Sequence, residues 1–334
     1  MLHFEKWEPN VTARALITIS IPVLNEADNI DALIERLRAV AAVNAKYDFE
    51  FVFTDNASTD ETFQKLAEIA LTEPRMRVFR FSRNFGFQRS ILFNLLEARG
   101  RAAIQIDADL QDPPELFSEF LKKWEEGYEV VYGIRRQRPE GLLLQLARKA
   151  HYRLLRALSE TDVPVDAGDF RLVDRKVIEN LRNLKDRDPY LRGIIASIGF
   201  SQIGIVYDRV ERKAGRSKFN LPKLVALSLD GIVSQSTRPL QLITLFGFFA
   251  SAFCVLATVA YSVAYVFAFA SFPRGFTTLV LLILISIGLN AAMIGILGEY
   301  VGRIFNMTRG GPIAIVSDRI EPVDDTQAQR MDRA

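Results

Sequence analysis

Histidine and cysteine are almost missing from this chain: His3, His151 and Cys254 are the only ones in 334 residues. A lone cysteine closes no intramolecular disulfide, and no Cys/His cluster has the spacing of a zinc site. A Ser-His-Asp triad would have to run through His151, whose neighbours Lys149 and Arg153 place it on a helix surface instead. Neither charge sign is in excess, with Lys+Arg 42 against Asp+Glu 40 and a net charge of +2. That balance speaks against nucleic acid as a partner. The opening MLHFEKWEP has no apolar run, so no signal peptide is expected. There is no G-x-G-x-x-G after the first predicted strand and no G-x-x-x-x-G-K-[ST] anywhere. A dinucleotide dehydrogenase and a P-loop NTPase are both disfavoured.

Charge is also missing from two particular stretches. None lies between Arg238 and Arg274, and none between Arg274 and Glu299. A spanning helix needs about 20 apolar residues, so the pattern predicts transmembrane helices at 239–270 and 275–301, joined by a short turn around Ser271–Gly275. Lys213, Arg216, Lys218, Lys223 and Arg238 precede this hairpin and Arg303 and Arg309 follow it, while the turn holds only Arg274. The positive-inside tendency then puts the large domain, 1–220, and the tail, 302–334, in the cytoplasm. Leu221–Ser236 reads as an amphipathic helix in the membrane interface. Leu142–Leu158 is a basic amphipathic helix that either rests on the membrane or packs on the sheet. Small residues in the spans (Gly247, Ala250, Ser251, Gly288, Gly295) permit close helix packing. The polar tail from about Ser317 reads as disordered.

The first 220 residues alternate apolar, β-rich runs with helical patterns. Strands are predicted at Ala15–Val23, Glu50–Thr54, Met76–Phe81, Ala102–Ile106 and Glu129–Gly133. The intervening helices are predicted near Asp28–Val40, Thr59–Leu71, Gln88–Arg99 and Pro114–Glu126. Such alternation implies an α/β domain with a mostly parallel sheet flanked by helices. Ligands collect outside the carboxyl ends of such strands, where Asn25-Glu26, Asp55-Asn56 and Asp107-Ala108-Asp109 stand. Residues two apart on an extended backbone project to one side, so Asp107 and Asp109 can share a hard divalent cation, Mg²⁺ or Mn²⁺. Gln111 offers a further oxygen. Asp112-Pro113-Pro114 reads as a helix start with Asp112 as the N-cap.

The segments IPVLNE, DNASTDET, SRNFG, DADLQDPPE and GDFRL, in that order and followed by two apolar spans, resemble the polyprenyl-phosphate glycosyltransferases of glycosyltransferase family 2. That group includes dolichol-phosphate mannose synthases and bactoprenol glucosyltransferases of the GtrB type. The resemblance runs from about Leu16 to Val316, and GEYVGRIF at Gly298–Phe305 leans to the bactoprenol branch. It implies a GT-A fold, inverting transfer of a hexose from a nucleotide-sugar to polyprenyl phosphate, and a multi-pass protein of the inner membrane acting on its cytoplasmic face. A homo-oligomer is expected from the same resemblance. Residue by residue, it assigns metal binding to Asp107, Asp109 and Gln111, and the nucleotide to Pro22, Glu26, Asp55 and Asp107. It assigns catalysis to Asp169 and Asp109, and the phosphates to Arg135, Arg212, Ser217 and Lys218. Many relatives read Asp-Asp-Gly-Ser where this chain has Asp55-Asn56-Ala57-Ser58, which leaves open how the base is read. Asp169 has an alternative reading as an ion-pair partner of Arg171 or another arginine. UDP-glucose is the expected donor, GDP-mannose the alternative. A processive polysaccharide synthase is disfavoured because Gln235-Ser236-Thr237-Arg238 is followed by Pro239 rather than Trp. A non-catalytic membrane scaffold is disfavoured by the intact Asp107, Asp109 and Asp169.

Overall fold

A computed structural model describes residues 14–136, 167–184, 189–209, 243–249, 276–308 and 312–322, with scattered further helical positions between 240 and 263. The predicted helices at 142–158 and 221–236 lie outside the described residues, as do Arg212, Ser217 and Lys218. The chain divides into two compact units, one of residues 1–139, 163–218 and 311–334, the other of 140–162 and 219–310.

In the first unit the elements run β1 (Ala15–Val23), α1 (Ile30–Val43), β2 (Tyr47–Asp55), α2 (Thr62–Ala70), β3 (Met76–Phe81), α3 (Phe87–Glu97) and β4 (Ala102–Gln105). A 3₁₀ turn (Pro114–Leu116) leads into α4 (Phe117–Glu125) and β5 (Val130–Arg135). Then come β6 (Ala167–Asp174), α5 (Arg175–Leu181), α6 (Leu191–Ser197) and β7 (Gln202–Tyr207). The eight strands form one sheet ordered β7-β5-β6-β4-β1-β2-β3-β8, where β8 is Val316–Ile320. Strands β4, β1, β2 and β3 are parallel neighbours, and β5 is parallel to β7. β6 runs antiparallel to both β4 and β5, and β8 antiparallel to β3. The sheet is therefore mixed, where the sequence alternation predicts a mostly parallel one.

The alternation in β1 explains its central place. Ile17, Ile19 and Ile21 are fully buried on one face, in a cluster with Leu33 and Leu37 of α1 and Phe117 and Phe120 of α4. Thr18 and Ser20 face the other way and are also buried, with Thr18 donating to Glu50 and Ser20 to the Gln105 Oε1 at 2.5 Å. A buried hydroxyl without such a partner would be costly. A second apolar cluster holds Ile91, Leu92 and Leu95 of α3 with Val177, Ile178 and Leu181 of α5. Three guanidiniums cover the last carbonyls of α3 and the residue after it. Arg182 donates to Leu96 O, Arg77 to Glu97 O and Arg175 to Ala98 O. Positive charge at a helix C-terminus complements its dipole.

The tail departs from the sequence reading. The residues after Ser317 were expected to be disordered, yet Val316–Ile320 is the edge strand beside β3. Ser317, Asp318 and Arg319 in its middle are all exposed, so no alternation marks the strand in the sequence, as befits a sheet edge open to water. Glu321 then pairs with Arg77 and Arg99, at 3.3 and 3.1 Å. Helix α7 (Phe276–Thr308) belongs to the second unit and extends seven residues past the predicted end at 301. The predicted two-span hairpin is not seen: of the segment 239–270, residues 240, 243–249, 252, 253, 256, 259 and 263 are described, all of them helical, and among the described residues no helix qualifies as a membrane span.

Because β8 covers an otherwise open strand edge, a chain ending at residue 315 should melt roughly 5–10 °C below the full chain. Thermal unfolding of the two detergent-purified proteins checks this; equal midpoints would show that β8 adds nothing to the sheet.

Candidate active site

The parallel strands β1, β2 and β4 deliver their carboxyl ends to one edge, and the loops beyond them are held in unusual conformations. Asn25, Ala57 and Leu110, each just past one of these strands, have φ of 57°, 60° and 59°. For non-glycine residues the left-handed region costs about 1–2 kcal/mol each, and strain of this kind concentrates where a loop must aim a functional group. Ala57 stands where the resemblance drawn from the sequence leads one to expect glycine, and it holds the left-handed turn at a cost in strain.

Between these loops lies a cavity of about 350 Å³ whose lining includes Pro22, Glu26, Asn56, Asn84, Asp107 and Asp109. Asp55 is not in the wall. It is fully buried at the end of β2, where its Oδ1 accepts the Ser58 N–H at 3.0 Å and its Oδ2 lies 3.4 Å from Arg80 Nε. Burial raises its carboxyl above the ordinary range against the lowering by Ser58 and Arg80. Asn56 is committed to the loop 82–86: its Oδ1 accepts the Phe85 N–H at 2.8 Å, and its Nδ2 donates to Asn84 Oδ1 at 2.9 Å. Asn84 Oδ1 also accepts the Gly86 N–H. The residue that departs from the family pattern thus shapes the cavity wall by using both its donor and its acceptor, which an aspartate could not do.

Asp107 is the most perturbed acid of the site. Its Oδ1 is sealed from solvent and has no hydrogen-bond partner. Burial, followed by the charges of Asp169, Asp112 and Asp109, pushes its carboxyl up to about 7. An orphaned carboxylate oxygen amid three other carboxylates is a fitting place for a divalent cation. Among the described residues no three acid, histidine or cysteine side chains converge as a ready set of ligands, so Asp107 and Asp109 would hold the ion together with oxygens from the substrate. The Gln111 backbone N–H donates to Asp109 Oδ1 at 3.2 Å, and Gln111 does not line the cavity.

Asp169 is on β6, within Coulombic reach of Asp107. Of the two readings open in the sequence, the geometry favours an ion pair, and the partner is Arg192 of α6. Its Nε and Nη2 grip the two carboxylate oxygens at 2.9 and 2.5 Å. Burial alone would raise Asp169, but the Arg192 fork, Arg171 and Gln88 hold it below the ordinary range. Such a carboxylate is a poor proton acceptor.

Asp112 corrects the helix-cap reading. Pro113 is the residue before the 3₁₀ turn, no side chain caps it, and Asp112 is fully buried elsewhere. Asp112 accepts the Tyr207 O–H at 2.5 Å and pairs with Arg135 Nη2 at 3.3 Å and Arg209 Nε at 3.5 Å. A Cβ at Gly168 would stand 3.0 Å from Arg135 Nη2, so the glycine of GDFRL leaves room for the guanidinium. Arg135, expected on the phosphates, is thus anchored by Asp112 and Tyr207. Arg192, Arg209 and Tyr207 were absent from the sequence reading; no local pattern marks them, because their partners are distant in the chain.

Residues 18–182 match the family described as glycosyl transferase family 2. The chain is 39% identical over 301 residues to the uncharacterized glycosyltransferase YkcC of Bacillus subtilis (strain 168), covering 90% of this chain and 92% of that protein. It is 34% identical over 304 residues to the bactoprenol glucosyl transferase of Shigella phage SfX, covering 91% and 99%. Among solved structures, the mannosyltransferase PcManGT from Pyrobaculum calidifontis in complex with GDP-Man and Mn²⁺ matches with a TM-score of 0.49 at 20% identity, covering 92% and 91%.

Two outcomes follow from this geometry. The Asp107 carboxyl is raised in the fold, so its ionised form is penalised: the penalty is absent below about pH 4 and complete above about pH 7. In chelator, Asp107→Asn should therefore melt above wild type at pH 8 by on the order of 5 °C, the gap closing toward pH 4; a pH-independent gap would contradict the assignment. Asn56→Asp removes the bond to Asn84 and should raise KM for the nucleotide-sugar about fivefold, with kcat little changed; steady-state kinetics reads this directly.

Proposed function

Since the chain belongs to glycosyl transferase family 2, we propose that this glycosyltransferase moves a hexose, glucose from UDP-glucose, onto undecaprenyl or a related polyprenyl phosphate, with inversion at the anomeric carbon. The observation that carries the reading is the orphaned, buried oxygen of Asp107 beside Asp109, at the mouth of a cavity on the carboxyl edge of a GT-A-like sheet. The choice of acceptor and of glucose is supported by the near full-length similarity to a bactoprenol glucosyl transferase.

In this reading Pro22 and Glu26 touch the nucleotide, Asp55 supports their loop from behind the wall through Ser58, which accepts the Asn25 N–H, and Asp107 and Asp109, with Gln111 adjoining, would hold Mg²⁺ or Mn²⁺. A cation held by these residues would supply positive charge to the diphosphate leaving group. An oxygen of the lipid phosphate forms the bond to the anomeric carbon. The bond from that carbon to the diphosphate oxygen breaks, and its electron pair leaves with the diphosphate. A phosphomonoester is already largely ionised near neutrality, its second pKa being about 6, so the nucleophile needs little deprotonation. Asp169, tied to Arg192, accordingly serves to orient that guanidinium rather than to take a proton. Arg135, Arg212, Ser217 and Lys218 supply donors for the phosphates.

We place the protein in the inner membrane with its catalytic domain in the cytoplasm. The support is the sequence of α7, which carries no charge from Phe276 to Gly298 and would be about 50 Å long as a straight helix, against about 30 Å of hydrocarbon. The matching charge-free stretch at 239–270 would complete the pair of spans. A homo-oligomer belongs to the same reading: it rests on the family resemblance, and the small residues in these stretches would permit close helix packing.

The test is purified protein in detergent with polyprenyl phosphate, Mg²⁺ or Mn²⁺, and a panel of nucleotide-sugars that includes UDP-glucose and GDP-mannose. Lipid-linked glucose from UDP-glucose is expected, and no lipid-linked sugar from any donor would overturn the reading. Asp107→Ala and Asp109→Ala should each lower turnover at least a hundredfold, on the order of 3 kcal/mol of lost transition-state stabilisation, while the fold persists by circular dichroism.

A further inference from the structure

The charges around Asp107 come in matched numbers. Asp107, Asp109, Asp112 and Asp169 are balanced by Arg135, Arg171, Arg192 and Arg209. A divalent cation on Asp107 and Asp109 would bring two positive charges beside these guanidiniums, and a guanidinium that leans on a metal-binding carboxylate would then need another counter-ion. Among the described residues, Arg209 is placed to do so. Its Nη2 lies 3.8 Å from Asp109 Oδ2, and its Nε 3.5 Å from Asp112 Oδ1. The other three are held elsewhere: Arg192 by both oxygens of Asp169, Arg135 by Asp112 and Tyr207, and Arg171 in full burial against the Gly168 carbonyl.

We propose that Arg209 is the exchangeable counter-charge of Asp109: it gives that carboxylate up to the divalent cation and turns to the diphosphate the cation brings, while Asp112 keeps its guanidinium in place. The diphosphate half of this statement rests on the glycosyltransferase reading above; the competition with the cation does not.

Asp112 suits the positioning role because it cannot itself leave. It is fully buried, and its oxygens are engaged by Tyr207 and Arg135 as well as by Arg209. Arg209 suits the exchange because a guanidinium has five N–H donors in a planar fork. One side can stay with Asp112 while the terminal nitrogens move from a carboxylate to phosphate oxygens of similar geometry. A third of its side-chain surface remains exposed, so the movement needs no opening of the core. At 3.8 Å the Arg209–Asp109 pair is long enough to yield to a cation bound directly to the carboxylate. Arg209 also stands at the end of β7, just ahead of Arg212, so the same anchor fixes where that basic segment begins.

The decisive measurement is Mn²⁺ binding to the full-length, detergent-purified chain without donor, by electron paramagnetic resonance of free Mn²⁺, for wild type, Arg209→Met and Asp112→Asn. Arg209→Met should bind Mn²⁺ more tightly, by at least about fivefold, the water-screened repulsion of two unit charges ~4 Å apart. In saturating Mn²⁺ the same variant should bind UDP at least tenfold more weakly by calorimetry, and its KM for UDP-glucose should rise more than its kcat falls. Asp112→Asn, which loosens Arg209 without deleting it, should weaken UDP binding by a smaller factor. A purely structural Arg209 would weaken both ligands together, and that result, or unchanged Mn²⁺ affinity in a variant with wild-type circular dichroism, overturns the proposal. If the wild type transfers no sugar, the parent reading fails, and the Mn²⁺ arm still decides whether Arg209 competes with the cation.

Discussion

Four carboxylates gathered at one edge of a sheet cannot all carry charge unless cations are placed among them. That constraint organises the catalytic unit. Each arginine of the group comes from a different segment: Arg135 from β5, Arg171 from β6, Arg192 from α6 and Arg209 just after β7. The mixed sheet is what makes this possible. Inserting β6 antiparallel between β4 and β5 brings Asp169 and Arg171 beside the loop that carries Asp107 and Asp109. A fully parallel sheet would have sent β6 in the other direction and its charged residues to the far edge.

The loops of the site show the same priority of aim over comfort. Three non-glycine residues sit in the left-handed region, one beyond each of the strands that reach the cavity. Asn56 and Asn84 then fasten the β2 edge to the turn before α3 through bonds that use both the donor and the acceptor end of the Asn56 amide. The cavity wall is thus built from short polar side chains bonded to backbone, which fixes shape without apolar bulk where a nucleotide must enter.

The first half of the sheet was legible because its strands are buried on both faces and bounded by turn residues: β1 and β3 fall on their predicted limits. Later strands were not. β6 is AGDFRLVD, whose Asp169 and Arg171 are charged yet buried, and hydropathy cannot anticipate charges that neutralise one another in space. β8 is VSDRI, polar on its wet side and thus indistinguishable from a solvated tail. Of the site, Asp107 and Asp109 were legible because their spacing on an extended backbone is itself the signal. Asp112 was misread because the Pro-Pro after it imitates a helix start, while the residues that claim it, Tyr207 and Arg209, stand some 95 positions away in the chain.

The pairing of β3 with β8 also sets an order of events during synthesis. Arg77 and Glu321 are 244 residues apart, and ribosomes add about 5–20 residues per second. For roughly ten to fifty seconds, therefore, the nascent catalytic sheet has an unfinished margin, and its last strand arrives only after every helix of the second unit has been translated. The sheet closes only once Ile320 has emerged, long after Asp107 and Asp109 have left the ribosome.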